Sequence, residues 1–327
     1  MSISSGGLLR STDPALQAAV GVGLEQVEGR LREVVASSHP MLAEAASHLV
    51  LAGGKRFRPL VTLLAAELGE GVNADVIDAA VVVELTHLAT LYHDDVMDEA
   101  DVRRGAESAN TRWTNTVAIL TGDYLFARAS DLTAGLGTEA THLQSRTFAR
   151  LVEGQISETA GPGEGQDAVE HHLQVLADKT ASLISTSARL GAMMAKADPA
   201  VIDLVAEYGE VIGVAFQLSD DLIDVLSESV DSGKTPGTDL REGIATLPVL
   251  LGRHDAALMA VLNADLSSDE ALAEALRTLR AHPAIEAARA TLQGYVDRAR
   301  AIAALLPEGS ARAALEALTD FVLARTG

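Results

Sequence analysis

The sequence contains no cysteine, and aromatic residues make up only 3% of its 327 residues. The absence of cysteine excludes a disulfide framework, a thiolate nucleophile and a cysteine-based zinc site. Basic residues are also scarce, because 25 Lys and Arg stand against 46 Asp and Glu, for a formal net charge of −21. The sequence therefore offers no basic stripe to neutralise nucleic-acid phosphates or to dock on an anionic membrane surface.

Long hydrophobic runs are absent as well. No run reaches about 18 apolar residues, so we expect no membrane span. The first residues lack a charged segment followed by an apolar one, which argues against a signal peptide. Hydrophobic residues amount to 48% of the chain, enough for a large core, and no linker divides it. We therefore expect one soluble, cytoplasmic domain over residues 1–327.

The apolar residues recur mostly at spacings of three and four, which is typical of helices rich in Ala and Leu. Turn residues separate these segments, for example at Gly53 and Gly54 and in 161–166 and 231–239. The sequence thus predicts an all-α bundle. The predicted helices cover 14–37, 40–52, 57–69, 74–98, 112–134, 138–158, 168–195, 199–226, 243–262, 268–280, 285–304 and 310–325.

Two acidic motifs of the form Asp-Asp-x-x-Asp follow apolar helical segments. Their members are Asp94, Asp95 and Asp98 in LYHDDVMDEA, and Asp220, Asp221 and Asp224 in FQLSDDLIDVL. The first and third aspartates of each motif share a helix face and repel each other unless a cation lies between them. Such oxygen ligands suit Mg²⁺, which completes its shell with water and phosphates. We prefer the interpretation as a metal site to that of a solvated helix face. In a bundle, such a site is built from side chains on facing helices.

The few basic residues lie near these motifs in the sequence. Arg103 and Arg104 are adjacent and cannot point in one direction, so they suit two different anions, although favourable charge at a helix C-terminus is an equal alternative. Lys55 and Arg58 follow two glycines that allow close backbone approach. His87 precedes Asp94 by two helical turns, roughly 10 Å along the axis.

Further polar residues complete a possible rim around the acidic motifs. Lys179 and Thr180 lie in LADKTASL, Gln217 precedes the second motif, and Lys234 follows it. His171 and His172 have no companion at metal-binding spacing, and we expect both at the surface.

These motifs together closely resemble the trans-polyprenyl diphosphate synthases. The resemblance extends from GGKRFRP through LYHDDVMDEADVRRG, GDYLFARAS, KTASL and FQLSDDLIDV to GKTPGTDLREGIATLP, nearly the whole chain. It implies an all-α bundle around a deep cavity, a homodimer, and condensation of isopentenyl diphosphate with an allylic diphosphate. It also implies a cluster of three Mg²⁺ ions per active site, held by the six motif aspartates.

The resemblance also assigns residues to the two substrates. Catalytic residues are Asp94, Asp95, Asp98, Asp220, Asp221 and Lys179. The allylic diphosphate is assigned to Arg103, Lys179, Thr180, Gln217 and Lys234. Isopentenyl diphosphate is assigned to Gly54, Lys55, Arg58, His87 and Arg104. One position departs from the pattern, because Ile244 stands where many relatives have Lys.

Product length is expected to depend on Ala89 and Thr90, which lie five and four residues before Asp94. Short-chain relatives carry a bulky aromatic there that stops elongation. The small side chains of this sequence leave room, so we expect a product of about eight to ten isoprene units, suited to a quinone side chain.

Three alternatives to a long-chain synthase stay open. They are a farnesyl or geranylgeranyl diphosphate synthase in which a bulky side chain on another helix stops elongation, a terpene cyclase, and a catalytically silent partner subunit. The cyclase would carry an Asn/Ser/Glu motif at the second aspartates, and silent partners lose their aspartates.

Overall fold

Two long helices carry the acidic motifs, and most of the fold is arranged around them. The computed structural model describes residues 13–227 and 236–326. Its helices are α1 Pro14–Val34, α2 Pro40–Leu51, α3 Phe57–Ala66, α4 Ala74–Met97, α5 Ala109–Arg112, α6 Asn115–Gly135, α7 Thr138–Ala160, α8 Ala168–Leu176, α9 Ser182–Met194, α10 Pro199–Leu226, α11 Thr238–Arg241, α12 Leu247–Gly252, α13 Ala256–Leu262, α14 Asp269–Arg280, α15 Ala284–Ala303 and α16 Ser310–Ala324. The predicted all-α fold is confirmed.

Helices α4 and α10 form the centre of the bundle. The first packs against α3, α6 and α9, and the second against α9 and α15. Both are apolar on several faces, as the burial of Val81, Leu85, Ile212 and Leu218 shows. A helix that is apolar around most of its circumference must be surrounded by other helices. Helix α9 therefore lies between the two aspartate-bearing helices and holds them in one core.

Three departures from the predicted elements affect the site. The predicted helix 168–195 is interrupted by a π-helical segment, Ala177–Ala181, between α8 and α9. The predicted helix 243–262 is divided, because Gly243 has a left-handed φ of 75° and Asp255 caps α13 through the N–H groups of Ala257 and Leu258. The predicted helix 112–134 begins instead at Asn115, where the side chain of Thr114 accepts the N–H of Val117.

A two-residue antiparallel ladder follows the first acidic motif. Strands β1 Val102–Arg103 and β2 Ala106–Glu107 pair through a turn at Arg104 and Gly105, whose φ values are 55° and 77°. Two consecutive left-handed residues match the twist of a tight hairpin. The hairpin sends the side chains of Arg103 and Arg104 to different neighbours, as their adjacency predicts.

Across the described ranges, none of the helices combines the length and apolarity needed to cross a bilayer.

Candidate active site

A cavity of about 890 Å³ lies between α4, α6, α7, α10 and the π segment, closed on one side by the loop 52–56. Eleven of the residues singled out from the sequence line it: Gly54, Lys55, Arg58, His87, Thr90, Asp94, Arg104, Lys179, Thr180, Gln217 and Asp220. Asp95, Asp98, Arg103, Asp221, Asp224 and Ala89 do not line it, and Lys234 lies outside the described residues. The structure thus brings both acidic motifs and both basic groups to one cavity.

The three aspartates of the first motif have different surroundings. Asp94 is half-buried on the cavity wall, and burial raises its pKa to about 6, with Lys179 opposing that rise. Asp95 is fully buried, and its Oδ1 accepts the Nε–H of Arg103 at 2.5 Å. Its Oδ2 has no hydrogen-bond partner among the described residues. Asp98 is exposed at the end of α4.

The second motif is also divided among three kinds of contact. Asp220 lines the cavity and accepts a hydrogen bond from Arg325. Asp221 is buried with its Oδ2 3.1 Å from the Nε2 of His172. Asp224 accepts the backbone N–H groups of Thr238 and Asp239, each at 3.2 Å, and so holds the start of α11.

Two of these partners were not predicted from the sequence. His172 was expected at the surface, but its side chain is only 14% exposed and contacts Asp221. Its contact depends on the packing of α8 against α10, which no sequence spacing shows.

Arg325 follows α16, far along the chain from its contacts. Its guanidinium carbon lies 4.6 Å from the ring centroid of Phe216, and its Nη1 is buried with no partner among the described residues. Phe216 in turn stacks on Phe57 at 4.7 Å and lies 5.8 Å from the Lys55 ammonium. The only hint in the sequence that Arg325 belongs to the site is that basic residues are scarce in this chain.

The glycine loop is shaped to receive Arg104. Gly54 has a φ of 147°, and a Cβ there would lie 2.9 Å from the Arg104 guanidinium. Arg104 Nη1 donates to the carbonyls of Gly53 and of Leu49, the latter at 3.3 Å. Only a residue without a side chain permits this contact, so Gly54 lets the arginine lie against the loop.

Arg58 and His87 lie deeper in the same wall. Burial lowers the pKa of Arg58 to about 10, although Glu84 raises it, so Arg58 stays charged at neutral pH. Burial and the neighbouring arginines lower the pKa of His87 well below its usual value. His87 is therefore a neutral donor or acceptor here, while the arginines supply the positive charge.

The π segment Ala177–Ala181 places Lys179 and Thr180 on the cavity wall. A Cβ at Gly154 would lie 2.8 Å from the backbone nitrogen of Lys179, so this glycine allows α7 to contact the segment directly. Single-turn π-helical insertions are frequent at functional sites because they shift side chains out of the regular helical register.

The two residues expected to set product length have different surroundings. Ala89 is fully buried against α6, where its carbonyl oxygen lies 3.1 Å from a Cβ built on Gly122, and it does not line the cavity. Adjacent helical residues point about 100° apart. Thr90 therefore faces the cavity while Ala89 packs between helices.

Aromatic side chains from α6 and α7 form part of the remaining apolar wall. Phe126 and Phe148 line the cavity, with ring centroids 4.2 Å apart. Val152 of α7 also lines it, and 43% of this residue is exposed.

The aspartates suit a divalent cation whose remaining ligands come from water and substrate. In the described part of the chain, no three His, Asp or Glu side chains are grouped closely enough to hold an ion. The unpartnered Oδ2 of Asp95 and the cavity-facing Asp94 and Asp220 are all hard oxygen donors. This set fits Mg²⁺, which commonly takes one or two carboxylates and fills its shell with water and substrate phosphates.

The fold and site define a class of helical bundle whose cavity combines acidic motifs with separate basic groups and an apolar wall. Residues 39–279 match the model of the family described as "Polyprenyl synthetase". The chain belongs to the polyprenyl synthetase family, which confirms the resemblance inferred from its motifs and the prediction of a prenyltransferase.

Individual relatives cover almost the whole chain. Nonaprenyl diphosphate synthase of Mycobacterium tuberculosis is 46% identical over 321 residues, covering 96% of each chain. The structure of geranylgeranyl pyrophosphate synthase from Corynebacterium glutamicum, complexed with calcium and isoprenyl diphosphate, has 44% identity and a TM-score of 0.86, covering 96% of this chain and 98% of that one. A decaprenyl diphosphate synthase structure from Rhodobacter capsulatus has 34% identity and a TM-score of 0.86, covering 96% and 99%.

Proposed function

We propose that this protein condenses isopentenyl diphosphate with an allylic diphosphate and repeats the reaction to build a long polyprenyl diphosphate. One observation carries the proposal: Asp94, Asp220, Lys179 and the loop holding Lys55 border one cavity that continues along an apolar wall. Such a cavity binds two anionic head groups at one end and leaves space for a hydrocarbon tail. Relatives that make nonaprenyl and decaprenyl diphosphates support a product of similar length.

The allylic diphosphate is assigned to the side of the cavity bordered by Lys179, Thr180 and Gln217. Bound Mg²⁺, which we propose as three ions held through the motif aspartates, would act as a Lewis acid on the departing diphosphate. Lys179 places a further positive charge beside that group, which favours its departure. The apolar wall shields the remaining carbon cation from water.

Isopentenyl diphosphate is assigned to Lys55, Arg58, His87 and Arg104, which border the same cavity. Charged Arg58 and Arg104 would hold its diphosphate, and neutral His87 can add one hydrogen bond. The double bond then attacks the cation, and the released diphosphate is a suitable acceptor for the proton that leaves. No nucleophilic side chain is required, which agrees with a cavity lined mainly by acidic, basic and apolar residues.

The second candidate is a short-chain synthase, which two observations favour. The geranylgeranyl pyrophosphate synthase structure is as similar to this chain as the long-chain relatives, and the Phe126–Phe148 pair lies in the cavity wall. We prefer the long product because Thr90, which borders the cavity, is small. Incubation with Mg²⁺, isopentenyl diphosphate and farnesyl diphosphate, followed by sizing of the products, distinguishes the two.

The two subsites should respond differently to substitution. Lys55→Ala and His87→Ala are expected to raise the KM for isopentenyl diphosphate by about tenfold and to affect the allylic KM little, because a charge-assisted hydrogen bond is lost at one head group only. Lys179→Ala should show the opposite bias, as should Lys234→Ala. Initial rates with each substrate varied in turn measure both constants. Equal weakening of both substrates by all four variants would contradict the assignment.

The homodimer, the cytoplasmic location and the quinone-related role remain predictions from the sequence. Sedimentation of the purified protein would test the first of these.

A further inference from the structure

A carboxylate lies among the basic residues of the cavity. Glu84 is on α4, ten residues before Asp94, and is 2% exposed. It lines the cavity, and the other carboxylates that do so in the described residues are Asp94 and Asp220. An acid is unexpected beside a site for anions, because it repels them, and burying it costs free energy unless it is paired.

The pairing of Glu84 involves two arginines from different segments. Arg56 Nη1 donates to Glu84 Oε1 at 2.7 Å, and Arg104 Nη2 lies 3.8 Å from the same oxygen. Arg56 belongs to the glycine loop and has a left-handed φ of 48°. The loop and the hairpin therefore meet at one buried oxygen on α4.

The positive charges around Glu84 repel one another. Burial and the charges of Arg56 and Arg103 lower the pKa of Arg104. The charge of Arg104 in turn lowers the pKa of Arg58. The charge of Glu84 instead raises the pKa of Arg56, Arg58 and Arg104. It is thus the counter-charge that these three arginines share before any substrate binds.

We propose that Glu84 is a positioning residue of the isopentenyl diphosphate subsite, whose carboxylate fixes Arg104 and the loop 53–58 in the orientation that receives the diphosphate. The inference rests on the proposed function and names a residue through which that subsite is assembled. Arg56 transmits the effect to Gly54 and Lys55 in its own loop. Arg104 borders the cavity, with its Nη1 held by the carbonyls of Gly53 and Leu49 and its Nη2 3.8 Å from Glu84, so the attraction of Glu84 keeps this charge beside the ligand position.

The test compares two isosteric substitutions on the same arginine. Arg56 also pairs with Glu28, which does not line the cavity, so Glu28→Gln is the matched control for Glu84→Gln. Glu84→Gln should weaken the binding of isopentenyl diphosphate about tenfold, because removing the buried carboxylate leaves Arg56 and Arg104 misplaced. Glu28→Gln should weaken it by less than about threefold. Both affinities are measured by calorimetry without allylic substrate.

Kinetics separate positioning from general destabilisation. In Glu84→Gln the KM for isopentenyl diphosphate should rise while the allylic KM and kcat stay near wild type. Glu84→Asp, which keeps the charge, should bind more tightly than Glu84→Gln. Unchanged or tighter binding by Glu84→Gln, or an equal loss in Glu28→Gln, would overturn the proposal.

Two further results keep the test decisive. Should Glu84→Gln fail to fold, as judged from its melting temperature, Glu84→Asp decides: its shorter carboxylate should raise the KM for isopentenyl diphosphate alone, and wild-type constants would overturn the proposal. Wild-type protein that binds isopentenyl diphosphate but does not elongate any allylic primer would contradict the proposed function and leave the role of Glu84 intact.

Discussion

Replacing either Asp94 or Asp220 with alanine is expected to lower turnover about a thousandfold or more, since metal stabilisation of a leaving group is worth several kcal/mol. Both residues border the cavity, from α4 and α10 respectively. Under the proposed function, each substitution would remove one metal ligand, and the remaining motif alone would not neutralise the charge of the diphosphate. Chelation of Mg²⁺ should abolish turnover in the wild-type protein.

The control for these substitutions is Asp131→Ala on α6, where the carboxylate is exposed and pairs only with Arg128 among the described residues. Its activity and melting temperature should match the wild type. Calorimetry of inorganic diphosphate with Mg²⁺ gives a readout independent of turnover, and both active-site variants should lose most of this binding. Near-normal rates in either Asp94→Ala or Asp220→Ala would contradict a site built from two acidic motifs.

The sequence was most informative where the signal is local. The apolar period of three and four located α4 and α10 closely. The spacing of two helical turns between His87 and Asp94 agrees with their positions on one cavity wall. The adjacent Arg103 and Arg104 diverge because of the hairpin, which lies between the predicted helices 74–98 and 112–134. These features depend on residues near one another in the chain, so composition and spacing were sufficient.

Contacts between distant segments were not accessible in this way. The pairing of Arg325 with Asp220 depends on how α16 packs, and the contact of His172 with Asp221 depends on how α8 packs against α10. The π segment at Lys179 leaves no gap in the apolar pattern of 168–195, so the sequence predicted one continuous helix. In each case the missing information is tertiary packing, which overrides local propensity.

The same limit applies to the different surroundings of Ala89 and Thr90. Spacing fixed the distance of Ala89 and Thr90 from Asp94 along α4, but it did not fix which of them faces the cavity. That depends on where α6 packs, and α6 covers Ala89. A residue can therefore be assigned to the correct helical turn and still point into the core.

The structure consequently moves the chain-length test to Thr90. Thr90 lies one turn from Asp94, about 6 Å along the helix axis, and lines the cavity. Thr90→Phe should fill that level of the cavity, and a tail forced past it would incur an overpacking cost of about 1–3 kcal/mol or more. The first condensation should remain fast, because the acidic motifs and the basic loop are unchanged. We expect the products to shorten to about three or four isoprene units, read by chromatography of the dephosphorylated alcohols.

Ala89→Phe is the matched control, because it places the same ring one residue away. Ala89 is fully buried against α6, so the ring should strain the interface between α4 and α6 and lower the free energy of unfolding by about 1–3 kcal/mol. Where this variant folds, its product length should change less than that of Thr90→Phe. Long products from a folded Thr90→Phe protein would show that the tail does not pass Thr90. Shortening by Ala89→Phe alone would show that the tail passes between α4 and α6 instead.

A geranylgeranyl-length product from the wild type would indicate that Phe126 and Phe148 already close the cavity. Phe148→Ala should then lengthen the product.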